Sequence, residues 1–277
     1  MQGNTENRTS KARAARRTAL GEVEGGGERI SPRQRGEQKA REALDWVYRW
    51  GWSSPSVVDG LAGTARRGLA ARLARAKLLR STRTDSGGAQ KGVPASILTL
   101  TGDGLAEVEK FREDLLPYEL DPYRIRQDQL RHYQLAQSAT AKALSEKKIS
   151  GFQTEKEMAE FSGSNIKQPD IAWWLPNGQS VAVEVELSAK WGRDLDHFIL
   201  SCLLSLSPEE KGGKHRYDYI ALVTDSPAIL KRYKAAFEPG AAYGVWQKDE
   251  RSRWEKSETR KVPEGAKGKM LWRLITD

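Results

Sequence analysis

The stretch "SVAVEVEL", Ser180 to Leu187, constrains the fold more than any other. Val181, Val183, Val185 and Leu187 alternate with Ala182, Glu184 and Glu186. A period of two puts the branched apolar residues on one face and both glutamates on the other. The valine face must be buried, so the strand belongs to a packed sheet. Just upstream, "DIAWWL", Asp170 to Leu175, reads as a second strand, and Pro176-Asn177-Gly178 reads as the turn between them.

That turn decides whether Asp170 joins the glutamates. In a two-residue turn, Asn177-Gly178 fill the corner and Asp170 falls on the face opposite Glu184. In a three-residue loop, Pro176 takes the second position of a type I turn and Gly178 the left-handed position. Leu175 then pairs with Gln179, and Asp170 lies across from Glu184. The proline favours the second loop, which gathers three carboxylates on one hairpin face.

Carboxylates this close stay ionised only where cations hold them. Oxygen ligands without a matching histidine or cysteine set point to Mg²⁺ or Mn²⁺ rather than zinc. Alternation alone also permits a solvent-facing sheet surface for these acids. The following segment "WGRDLDHFILSCLLSL" argues for cover, since Leu195, Phe198, Ile199, Cys202, Leu203 and Leu206 form an apolar helical stripe that must pack on a sheet. "YDYIALVTDS" then reads as a buried strand and "PAILKRYKAAF" as another helix, which completes an α/β sandwich with the acids at a cleft edge.

The 277 residues carry a formal net charge of +9, which favours polyanion partners. A single cysteine, Cys202, excludes an internal disulfide framework and fits a reducing cytoplasm. No apolar run reaches membrane-span length. Residues 1–36 read as a basic-leaning disordered arm, either a solvated tail or a non-specific phosphate-binding arm. Residues 37–117 read as three helices, a hairpin with a long Gly- and Ser-rich flexible tip, and a fourth helix, the order of a winged helix-turn-helix domain. Its third helix, capped by Thr64, would turn Leu69, Leu73 and Ala76 inward and present Arg66, Arg67, Arg72 and Arg75 to the major groove of double-stranded DNA. Arg83 and Lys91 at the hairpin would brush the backbone. After the connector "PYELDPYRI", a long helix from Arg126 opens the second domain, 118–277. His132, on that helix, is given no role.

"QPD", then "EVE" and a nearby lysine resemble the PD-(D/E)xK signature of restriction-endonuclease-like nucleases. A winged helix, a long helix, "PD", a short hairpin, "VEVELSAK" and an apolar helix together resemble the replication-relaxation family, which includes MobC-type mobilisation proteins. The resemblance runs from about Gln38 to about Phe237. It implies an α/β/α nuclease-like domain with a mixed sheet, and a relaxase-type protein of a plasmid or integrative element that nicks DNA at an origin of transfer or replication. By that analogy Asp170, Glu184 and Glu186 hold the metal, and Lys190 is the catalytic lysine. The family pattern places the lysine two residues after the acid, where this chain has Glu186.

Two other readings stand beside this one: a winged-helix regulator or replication accessory whose nuclease-like domain is inactive, and an adaptor within a mobilisation or transfer complex. All four charged positions are present, which favours the enzyme. Relaxases built on a histidine cluster and a tyrosine nucleophile do not fit, because His132, His197 and His215 are far apart in sequence.

Overall fold

The computed structural model describes residues 31–63, 68–159, 168–206 and 216–275. Arg66, Arg67 and Thr64 lie outside the described residues, as does nearly all of the basic arm. The architecture is α+β, with a mixed five-stranded sheet.

Helix α1, Pro32–Trp50, starts inside the segment read as the arm. The Ser31 hydroxyl accepts from Gln34 N at 3.2 Å, and Gln34 Oε1 accepts from Ser31 N at 2.9 Å. This reciprocal cap, with Pro32 in the first turn, is enough to start the helix early. Helix α2, Pro55–Leu61, is capped by Ser54. Helix α3, Leu69–Arg75, takes its cap from α2: an Asp59 carboxylate oxygen accepts from Gly68 N at 3.2 Å and Ala70 N at 2.9 Å. Leu69 and Leu73 are buried as expected, but Ala76 lies past the helix end and is exposed; Ala70 takes the inward place.

Strands β1, Leu79–Arg83, and β2, Ser96–Leu100, form the expected hairpin, with Leu79 opposite Leu100. Its tip is not a loose loop. Hydrogen-bonded turns run through it, and Val93 packs with Trp52, Ile97 and Leu130. The apolar Val93 gives a Gly-rich segment one anchor, and that anchor fixes it. Helix α4, Gly102–Glu109, closes on the hairpin at Gly104, where any side chain would collide with the Leu78 carbonyl.

The second part begins with α5, Leu130–Ser145. It continues with β3, Gly151–Thr154; α6, Glu155–Ala159; β4, Ile171–Trp174; β5, Ser180–Val185; and α7, Gly192–Leu206. Then follow β6, Tyr219–Thr224; α8, Pro227–Ala236; β7, Ala242–Lys248; β8, Trp254–Lys261; and β9, Met270–Leu274. The sheet order is β3-β4-β5-β6-β9, antiparallel through β5 and parallel beyond it. Strands β7 and β8 pair apart from it.

Val181, Val183 and Val185 pack with α5 residues such as Ala136 and Ala139. Ala172 and Ala182 pack on the other face with Phe198, Ile199 and Cys202 of α7 and Tyr233 of α8. Each face of the sheet is therefore covered, and the acid-bearing face of β5 is not a solvent surface.

The two parts share core. Trp46 and Trp50 of α1 pack on Phe152 of β3, with ring centres 5.1 and 6.0 Å away. Gln137 of α5, fully buried, accepts from Trp46 Nε1 at 3.1 Å and Ser53 Oγ at 2.6 Å and donates to Trp52 O at 3.0 Å. Arg49 donates to Glu157 at 2.8 Å and lies over Phe152.

Candidate active site

The turn takes the three-residue form. Leu175 N donates to Gln179 O at 2.8 Å, and Gly178 has φ +89°. Ile171 pairs with Val183, so Asp170 stands one step further, opposite Glu184. Its backbone N–H donates to Val183 O at 3.1 Å, and its Oδ2 accepts from Val185 N at 2.7 Å. The Asp170 side chain thus caps the end of the β4–β5 ladder while facing the open end of the sheet.

Glu184 and Glu186 are 4% and 5% exposed. Charges this deep must be paired or hydrogen-bonded to persist. Glu186 lies one residue past β5, and its N–H still donates to Val223 O at 2.8 Å. Its Oε2 accepts from the Tyr233 hydroxyl at 3.1 Å, and its Oε1 is ion-paired with the Lys190 ammonium.

Lys190 reaches Glu186 because the chain bends at Leu187 and Ser188 instead of extending. The bend is pinned to α8: Arg232 Nε donates to Lys190 O at 3.0 Å, and Lys190 N donates to the Tyr233 oxygen at 3.4 Å. The ammonium also sits 4.7 Å from the centre of the Phe198 ring. Burial, then the Glu186 charge, pushes the Tyr233 phenol up, so it stays a proton donor.

Two contributors were not foreseen. Tyr233 lies on an apolar i, i+4 stripe with Ile229 and Phe237, which signalled burial but not a hydroxyl aimed at Glu186. His132 Nε2 stands 3.3 Å from Asp170 Oδ2. Burial disfavours its imidazolium, but the Asp170 hydrogen bond and charge outweigh that and raise its pKa above the ordinary histidine value. Nothing in the helical period marked it, since its partner comes from a distant strand.

The register therefore places Asp170, Glu184 and Glu186 at one end of the sheet, and Lys190 joins them through its ion pair with Glu186. Among the described residues, no three His, Cys, Asp or Glu side chains converge as a ready-made metal cage. Glu186 has an oxygen on Lys190 and the other on Tyr233. Asp170 and Glu184, opposite each other in the register, carry hard carboxylate oxygens of the kind that suit Mg²⁺ or Mn²⁺.

Of the arginines assigned to DNA, Arg72 and Arg75 are exposed on α3, and Arg72 donates to Gly36 O at 3.2 Å. Arg83 and Lys91 are exposed on the hairpin, whose tip rests against the start of α5, where Gln127 Oε1 accepts from Asp85 N at 3.2 Å. No helix among the described residues is long and apolar enough to cross a membrane. No family model, curated protein or solved structure matches the chain.

Proposed function

We propose that the chain is a DNA-binding, metal-dependent DNA-nicking protein of the relaxase type, acting at an origin of transfer or replication of a plasmid or integrative element. The observation that carries this reading is the register placing Asp170 opposite Glu184, with Lys190 folded back onto Glu186. The order helix, strand, short helix, antiparallel strand pair, helix, parallel strand, from α5 to β6, supports a restriction-endonuclease-like domain. The three helices and hairpin before it support a winged helix, with Arg72 and Arg75 exposed on the third.

In this reading Asp170 and Glu184 hold Mg²⁺ or Mn²⁺. The bound ion supplies Lewis-acid stabilisation of a phosphodiester in hydrolysis and eases ionisation of the attacking water. Glu186 acts through Lys190: with Tyr233 it holds the ammonium over the site, at the sheet end where phosphate charge develops. His132 orients Asp170. The winged helix supplies affinity for double-stranded DNA.

Glu186, fully engaged by Lys190 and Tyr233, favours a second reading, a DNA-binding regulator or mobilisation accessory in which the acids only stabilise the fold. Incubation of supercoiled plasmid with the protein separates the two. Open circles that form with Mn²⁺ or Mg²⁺ and vanish with chelator support the enzyme; a shifted, intact plasmid supports the regulator.

A further inference from the structure

A cleft of about 190 Å³ lies where α1, the 119–129 connector, α5 and α6 meet. It is smaller than the roughly 300–1,000 Å³ of sites that enclose drug-sized ligands. It has room for one ring system rather than a whole cofactor. Trp50, Trp52 and Tyr133 contribute to its walls, Lys156, Arg124 and Arg126 bring cations to it, and Glu119 and Glu155, the latter accepting from the Tyr133 hydroxyl at 2.8 Å, bring carboxylates.

Two features are unexplained by the fold. The Trp50 indole Nε1 is buried and has no acceptor, although a buried indole N–H ordinarily finds one. Among the described residues, Lys156 pairs with no carboxylate, whereas Arg124 pairs with Glu119 at 3.1 Å and Arg126 with Asp128 at 2.6 Å. The Lys156 ammonium stands over Gly51, the left-handed residue that ends α1 with φ +81°.

The cleft also adjoins the candidate active site. The Tyr133 ring meets the His132 ring edge-on at 5.3 Å, and His132 faces Asp170.

We propose that this cleft receives one unpaired nucleobase of a DNA strand beside Trp50 and Tyr133, with the adjoining phosphate on Lys156. This rests on the DNA-nicking reading and names its substrate more closely: duplex in which a nucleotide beside the cut position has left the stack. Aromatic walls accept any base face, and a nearby cation holds the backbone.

The test uses the full chain without metal and two short duplexes, one fully paired and one with a single unpaired adenine, together with dAMP. The unpaired duplex is expected to bind about 10-fold more tightly than the paired one. It should also shift the Trp50 indole N–H resonance, identified by its absence in Trp50→Phe. Lys156→Glu, an exposed change that leaves the core untouched, should remove the preference while paired-duplex binding stays within a few-fold. Equal affinity for the two duplexes, or an equal loss for both in Lys156→Glu, overturns the cleft assignment and leaves the DNA-nicking reading standing. Binding of dAMP with no binding of either duplex overturns both, and marks a site for free nucleotides.

Discussion

The Lys190 ammonium is ion-paired with Glu186, four residues back around the bend that ends β5. Glu186 is 6% exposed in its side chain and Lys190 34%, so the pair straddles the boundary between core and solvent. The carboxylate needs the cation more than the cation needs the carboxylate.

Lys190→Ala should therefore leave Glu186, among the described residues, with the Tyr233 hydroxyl as its hydrogen-bond donor. The expected loss is about 1–3 kcal/mol of unfolding free energy, moderated by water entering where the lysine stem lay. Adding Glu186→Gln should recover much of it. Urea unfolding of the two variants checks this; a Lys190→Ala protein as stable as wild type would mean the pair contributes nothing. The same variant should slow single-turnover nicking by roughly 10²–10³-fold, as loss of a positioned charge-stabilising donor does, with DNA affinity kept.

Gln137 holds the two parts together through three buried hydrogen bonds. Gln137→Leu should strand the Trp46 N–H, the Ser53 hydroxyl and the Trp52 carbonyl. At about 1–3 kcal/mol for each buried group left unsatisfied, even partial relaxation predicts a fall of a few kcal/mol. Thermal unfolding would show it, and an unchanged midpoint would sink the idea.

The His132 imidazole should titrate above the ordinary histidine value in metal-free protein, because Asp170 outweighs burial. A raised folded-state value gives stability that is complete below the unfolded pKa, near 6.5. That contribution is lost as pH rises through the folded value. Asp170→Asn should remove the upward shift. An NMR titration that finds His132 unchanged between the two proteins would contradict the contact.

Replacing Arg66, Arg67, Arg72 and Arg75 with alanine should weaken duplex binding and reduce its salt slope by roughly 0.9 for each phosphate that the protein no longer neutralises. A titration across salt concentrations in which the slope does not change would remove these arginines from the interface.

Much of this geometry was legible because local rules fixed it. Pro176 and Gly178 selected the loop, the loop set the register, and the register set Asp170 against Glu184. The bend that returns Lys190 was also foreseeable, since a short segment had to turn before α7. What local rules could not carry were contacts across the fold. His132 meets Asp170, and Tyr233 meets Glu186, only after the helices dock on the sheet. The start of α1 was missed because Ser31 and Gln34 cap it with polar side chains inside a polar segment. The hairpin tip looked loose because its one anchor, Val93, finds its partners on other elements.

The central claim is that Asp170 and Glu184 hold the metal that cuts DNA. It is tested most directly on supercoiled plasmid carrying the DNA that flanks the protein's own coding sequence, with wild type, Asp170→Ala and Glu184→Ala compared in Mn²⁺. The account predicts open circles from wild type alone, with all three proteins shifting the plasmid in a gel and only wild type binding Mn²⁺ by calorimetry. Nicking by both variants at the wild-type rate, or an intact plasmid with wild type, would contradict it.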